Sequence, residues 1–492
     1  MSKATIKVVC LSLLAALALA AGCNFAPTYT VPPVATPTAY KETNNWKTAE
    51  PADAMIKGKW WEMFNDPQLN TLEGQVTVSN QNLVASLENF LAGRAVAKQA
   101  QSQLFPTITA DPSATRGKAS SNEGASVGGA PGGGGKTYSS YSLPLDASWE
   151  PDLWGSIRNT VAASTYSAQA SAAQLENLRL TLQAELAVDF YQLRSQDELI
   201  DLYSNTIVNY RDSLELTKTL FATGIDSDLD VAQADTLLET TLAQATALGI
   251  QRAQYEHAIA LLVGQAASTF SLKPAPMKYS PPPVPLGLPT QLLERRPDIA
   301  AAERGVATSN AVIGVARAAY FPTVSLTGGV GLQSSTLSQL LKSSSFYWAA
   351  GAAASEVIFD AGKRKAVTQQ AWAEYRAGVA NYRQTVLTAF QQVEDNLAAL
   401  RILSSEVGQQ DVAVRASQRN LDLAIQRYRL GINSYLNVIT AEVSLLSNQQ
   451  TAVTIHMQQM TSCVQLVMAL GGGWSTNDLP SPRRVMHQAA AH

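Results

Sequence analysis

Cysteine is almost absent from this chain of 492 residues: it occurs at Cys10, Cys23 and Cys463 only. Cys10 lies in an N-terminal leader-like stretch, so no disulfide framework is available to hold a mature fold. Histidine is equally rare, and His257, His456, His487 and His492 show no metal-ligand spacing with a cysteine or carboxylate cluster. Charged residues make up 15% of the chain and the net charge is −3, which excludes a basic nucleic-acid surface. There is no GxSxG motif and no activated nucleophile, so neither an enzyme nor a cofactor is called for.

Proline is missing where it matters most. The chain has 22, yet none occurs from Asp152 to Lys273 or from Thr323 to Leu479. Proline breaks helix interiors, so these stretches are free to form unbroken helices. Apolar residues at Leu175, Leu178, Leu182, Leu186, Phe190 and Leu193 step by three and four. A second stripe, interrupted only by Gln450, runs through Ile439, Val443, Leu446, Val453, Met457, Met460, Val464 and Val467. A helix from Ile157 to Leu220 would be roughly 95 Å long at ~1.5 Å per residue. That far exceeds a globular core, so the helices must pair along coiled-coil seams. They would fold back at Gly224 and Gly431, since glycine turns a chain at little cost.

What is present comes twice. Phe105-Pro106-Thr107 recurs as Phe321-Pro322-Thr323, while Gly155, Gly224 and Gly264 recur 207 residues later as Gly362, Gly431 and Gly471 (362 − 155). The period predicts two tandem repeats, each a β-hairpin followed by long helices. Strand-like runs are Thr107–Ala110 with Tyr138–Trp149, then Thr323–Gln333 with Phe346–Phe359. Alternating segments of about ten residues are the signature of outer-membrane strands. A membrane barrel must close on itself, and even the smallest needs about eight strands. Four per chain therefore require several chains to share one barrel.

The N-terminus carries Lys3 and Lys7, an apolar run from Val8 to Ala21, and then Leu19-Ala20-Ala21-Gly22-Cys23. This reads as a secretory signal with an apolar run too short to span a bilayer comfortably. LAAGC resembles a lipobox, implying cleavage before Cys23 and its acylation. Asn24, rather than Asp, favours delivery to the outer membrane.

Two motifs are decoys. Ala130-x-x-x-x-Gly135-Lys136-Thr137 loosely fits a P-loop, but strand-like residues and Pro144 follow where a helix is needed. Asp226-x-Asp228-x-Asp230 begins like a calcium loop, but Val231 and Leu237 replace its required Gly and Glu.

Five segments together resemble the outer-membrane factor family of TolC-like channels, specifically its NodT-type lipoproteins. They are Trp60–Leu72, Leu288–Glu303, Ala316–Leu326, Ile358–Lys365 and Arg427–Glu442. The resemblance implies a mainly α homotrimer with a shared twelve-strand barrel in outer-membrane lipid and a twelve-helix barrel in the periplasm. It implies passive export of small molecules, with a periplasmic adaptor and an inner-membrane resistance-nodulation-division transporter as partners. The chain then divides into a signal peptide (1–22), a lipid-anchored tether with an equatorial segment (23–62) and a first repeat (63–272, hairpin 105–149, helices 154–264). A Pro-rich equatorial linker (273–297), a second repeat (298–471, hairpin 321–359, helices 362–470) and a tail (472–492) follow.

The resemblance also places a periplasmic gate at the helix turns. It pairs Tyr428 with Asp230, puts Asn433 where relatives carry an arginine, and puts Asn437 and Thr440 where some carry acidic rings. The entrance should then attract cations less than theirs does. It assigns adaptor contact to the tips Thr223-Gly224-Ile225 and Leu430-Gly431-Ile432, residues that equally suit ordinary helix caps. The residues leave open a duct for exported proteins or metal ions, and a pore-free coiled-coil envelope lipoprotein.

Overall fold

The computed structural model describes residues 24–42, 58–118, 137–277, 281–282, 284 and 292–487. Cys23 and the glycine-rich tract 121–136 lie outside them. Mainly helical elements alternate with one small sheet. Helices α1 (Pro67–Ser79) and α2 (Gln81–Ser102) lead into strands β1 (Thr107–Ala110), β2 (Ser113–Lys118) and β3 (Thr137–Trp149). Helices α3 (Ser156–Ala222) and α4 (Asp228–Leu262) complete the first half. The second half is α5 (Pro297–Ala318), β4 (Thr323–Ser334), β5 (Phe346–Ser355), α6 (Lys363–Arg429) and α7 (Tyr435–Ala469), with a short α8 (Pro482–His487) at the end. The α3 and α6 arms each have 67 residues, and α4 and α7 each have 35. At ~1.5 Å per residue the long arms reach about 100 Å.

The starts of the arms follow from local chemistry. Asp152 accepts from the backbone N–H groups of Ile157 and Arg158 and from the Arg158 guanidinium. Asp360 does the same for α6, accepting from Gly362 N, Arg364 N and Arg364 Nε. Both carboxylates thus sit where a helix presents unsatisfied donors. Asp66 caps α1 by accepting from Gln68 N and Leu69 N, with Pro67 at the first helical position.

Helix α3 packs on α4 and α6 on α7, while α3–α7 contact joins the halves. The largest apolar core lies around the middle of the arms, where Trp60, Leu69, Leu186, Phe190, Leu193, Leu397 and Val464 are fully buried. An ion-pair network ties this waist to the connector. Arg194 donates to Asp197 at 2.6 Å, to Gln68 Oε1 at 2.5 Å and to Lys273 O at 3.0 Å. Arg252 reaches the same Asp197 at 2.7 Å. Arg296, from the ERRPD segment, donates to Ala469 O and so satisfies a carbonyl at the end of α7. A separate apolar cluster, including Tyr210, Leu214, Ala234, Tyr428, Tyr435 and Leu445, fills the far end of the arms.

Two expectations need adjustment. The first strand does not stop at Ala110: β1 and β2 pair with β3 in one unbroken register, from Thr107↔Ser148 to Lys118↔Thr137. Asp111-Pro112 only interrupts it, because proline cannot donate to the ladder. Near the turn, α7 buries Val438, Ala441 and Leu445, whereas Val443 is 47% exposed. A helix of 3.6 residues per turn drifts off a strict heptad, which moves the buried stripe sideways.

Candidate functional site

The sheet order is β1/β2–β3–β4–β5, antiparallel throughout. Strands β1/β2 and β5 are edges with no further partner among the described residues. Register and alternation sort the side chains onto two faces. One face is apolar: Ile108, Ala110 and Ala114; Leu143, Leu145, Ala147 and Trp149; Leu326, Val330 and Leu332; Phe346, Trp348, Ala350 and Ala352. The other carries Thr107 and Thr109, Ser142, Asp146 and Ser148, Thr327 and Gln333, and a row of small residues. Gly329 leaves room for Asp146, whose Oδ1 stands 2.5 Å from where a Cβ would be. Strands β3 and β4, at 13 and 12 residues, are long enough to cross a tilted hydrocarbon layer. No described helix is long and apolar enough to do so.

The chain start described here sits at the junction of sheet and helices. Phe25 stacks on Phe321 with ring centroids 4.3 Å apart, and Trp154 stacks on Phe321 at 4.9 Å. Asn24 Oδ1 accepts from Asn159 Nδ2 at 2.9 Å, and Arg317 donates to Phe25 O. Asn24 and Phe25 therefore lie next to the level where the strands begin.

The opposite end holds the predicted gate. Both turns close by the same pair of bonds. Gly224 N donates to Phe221 O and Ile225 N to Leu220 O; Gly431 N donates to Tyr428 O and Ile432 N to Arg427 O. The glycines take φ of 74° and 69°, the left-handed conformation that this helix stop requires. Thr223 adds a side-chain bond to Leu220 O at 2.9 Å. Around these turns Ile225, Leu229, Leu430, Ile432 and Leu436 are all more than half exposed.

Tyr428 is buried and donates to the Asp226 carboxylate, with Thr217 Oγ1 3.2 Å from the same hydroxyl. Burial, reinforced by the Asp226 bond, pushes the phenol well above its usual range. The pairing differs from the sequence expectation. Asp230 is engaged at the start of α4, where it accepts from Ser227 Oγ at 2.6 Å while its N–H donates to Ser227 Oγ at 3.3 Å. That is a capping box, which fixes Asp230 to its own helix. Asn433 is half-buried and Asn437 and Thr440 are exposed. Asn437 Nδ2 reaches Ser434 Oγ at 3.4 Å and Thr440 Oγ1 donates to Leu436 O, so both bonds are local. Sequence reasoning missed Asp226 as the acceptor for Tyr428, along with Thr217, Ser213 and Glu442 behind it. Glu442 did carry a signal, as a carboxylate close to an apolar stripe. Among the described residues no group of His, Cys, Asp and Glu could hold a metal ion.

The outer membrane efflux protein family model matches residues 72–265 and 288–472. The chain is 33% identical over 467 residues to the solvent efflux pump outer membrane protein SrpC of Pseudomonas putida, covering 94% of this chain and 98% of that protein. It is 30% identical over 468 residues to the cation efflux system protein CusC of Escherichia coli, covering 93% and 97%. Among solved structures it superposes on the outer-membrane channel OprN with a TM-score of 0.85 at 31% identity, covering 92% of this chain and all of that one.

Proposed function

Since the chain belongs to the outer membrane efflux protein family, we propose that it is the outer-membrane exit duct of a tripartite efflux pump. Three copies share a barrel of twelve strands, and their arms continue it as a barrel of twelve helices. Two tandem repeats, each a hairpin with a pair of arms, supply every copy's share. Acylated Cys23 holds the chain in outer-membrane lipid, consistent with Phe25 lying against Phe321 beside the strands.

The observation that carries this reading is the sheet in which β1/β2, β3, β4 and β5 fill four positions, apolar on one face, with both edges unpaired among the described residues. Unpaired edges cannot face lipid, because each N–H and C=O there would lack a partner. Edge-to-edge closure with further copies solves that problem and puts the Asp146 face inside.

The far turns form the entrance. Tyr428 and Asp226 hold it shut, Asp230 stiffens the first turn, and Asn433, Asn437 and Thr440 line the mouth. The apolar tips Thr223-Gly224-Ile225 and Leu430-Gly431-Ile432 receive a hairpin of the periplasmic adaptor, which links the duct to an inner-membrane resistance-nodulation-division transporter. Small toxic molecules pass through without chemistry, driven by that transporter.

Edge cysteines test the assembly. With one cysteine in 107–118 and another in 346–355, oxidation in native membranes should give species up to three linked chains and none larger. Chains that never cross-link, or an open ladder beyond three, would overturn it.

A further inference from the structure

Behind the latch lies a carboxylic acid that neither the turns nor the Tyr428–Asp226 contact requires. Glu442, two turns into α7, is 3% exposed. Its Oε1 accepts from Ser213 Oγ at 2.8 Å, whereas Oε2 is buried with no partner among the described residues. It lines a cavity of about 350 Å³ between α3, α6 and α7, shared with Tyr210, Tyr428 and Tyr435. The Tyr210 hydroxyl is also buried and unpartnered. Burial pushes the Glu442 carboxyl up to about 7, against the smaller opposing pull of the Ser213 hydroxyl, and no cation offsets it.

The site is joined to the latch through one helical turn. Ser213 O accepts from Thr217 Oγ1 at 2.9 Å, and Thr217 Oγ1 contacts the Tyr428 hydroxyl. The Tyr435 ring lies 5.3 Å from that of Tyr428. Other titratable or charged groups around the cavity are Tyr203, Tyr210 and Asp212 on α3, Asp422 and Arg429 on α6, and Asp226 and Asp230 at the first turn. Burial drives the Tyr210, Tyr428 and Tyr435 hydroxyls up, so all three stay neutral at periplasmic pH.

We propose that Glu442 is a proton-binding site that controls the gate: protonated, it keeps α7 packed on α3 and the tip closed; ionised, it favours the opened tip. The inference rests on reading the tip as a channel gate. A buried carboxylate with one unpaired oxygen is costly, whereas the neutral acid is tolerated and can donate a hydrogen bond into the cavity. Opening the helices admits water to Glu442 and lets it titrate near its ordinary value.

The sign follows from that difference. The closed state holds the proton more tightly, so closure is favoured below an ordinary carboxyl pKa of about 4.3 and loses that advantage as pH rises toward about 7. Each unit inside this window changes the closed-to-open ratio by up to about tenfold. The duct thus shuts more firmly when the periplasm turns acid.

Open probability of the full-length acylated protein in planar bilayers, recorded from pH 5 to 8, is the test. Wild type should open more as pH rises, by up to about tenfold per unit for each chain's Glu442 at the steepest point. Glu442→Gln should stay as closed as wild type at low pH, with a flat profile. Ser213→Ala should keep the rise but move its midpoint upward, because the carboxylate loses the bond that favours ionisation. A flat wild-type profile overturns the inference. So does an identical pH dependence in Glu442→Gln, which would assign titration to Asp212, Asp226 or Asp422. Absence of any conductance, even in Tyr428→Phe at every pH, would instead reject the channel reading, and this inference with it.

Discussion

The hydroxyl of Tyr428, in the last turn of α6, donates to the carboxylate of Asp226 in the turn between α3 and α4. One bond thus ties the two helical hairpins of a chain together at their tips. Because the acceptor is charged and Tyr428 is buried, such a bond contributes about 1.5–3 kcal/mol. An opening motion that separates the hairpins must break it.

Asp226 and Asp230 should therefore behave differently. Asp226→Asn weakens the latch without disturbing α4. Asp230→Ala removes a capping box and costs roughly 1 kcal/mol of stability. Thermal unfolding should register the Asp230 change more than the Asp226 change, and antibiotic influx through the duct the reverse.

Gly431→Ala should destabilise the turn by about 1–2 kcal/mol, since φ is 69° there and a Cβ strains that conformation whatever the space around it. Gly408→Ala is the contrast. It lies inside helix α6 with nothing within 4 Å of its would-be Cβ, so it should stabilise by about 0.5–1 kcal/mol. Paired melting curves of the two variants check both signs.

At the waist, Arg194→Ala should cost about 3–5 kcal/mol, because it leaves Asp197 buried with a weakened partner set. Arg252 still reaches Asp197, so Arg194→Lys should recover part of the loss. The yield of folded protein and its midpoint in denaturant should rank wild type, lysine, alanine.

Cys23→Ser should abolish incorporation of labelled fatty acid and leave the leader uncleaved by the lipoprotein peptidase. Electrophoretic mobility and labelling report both effects directly. Retention of label in the variant would place acylation elsewhere.

Much of this architecture was readable because its signals are long. Two proline-free stretches and the recurring glycines at 224 and 431 mark arms and turns without reference to packing. The strand faces were legible from alternation alone, as in Leu143, Leu145, Ala147 and Trp149. Contacts across the tip were not. Ser227-x-x-Asp230 has the spacing of a capping box, but only the geometry of the first turn gives Tyr428 to Asp226. The expected burial of Val443 failed for a related reason: heptad counting tracks spacing, and over many turns it misjudges which face meets the neighbour.

The gate is the central claim, and single-channel conductance of the acylated protein beside Asp226→Asn and Tyr428→Phe tests it most directly. The account predicts brief, small openings in wild type, and longer or larger ones in both variants, with the double variant little different from either single one. Intact oligomers that conduct alike in all forms, or in none, would contradict it.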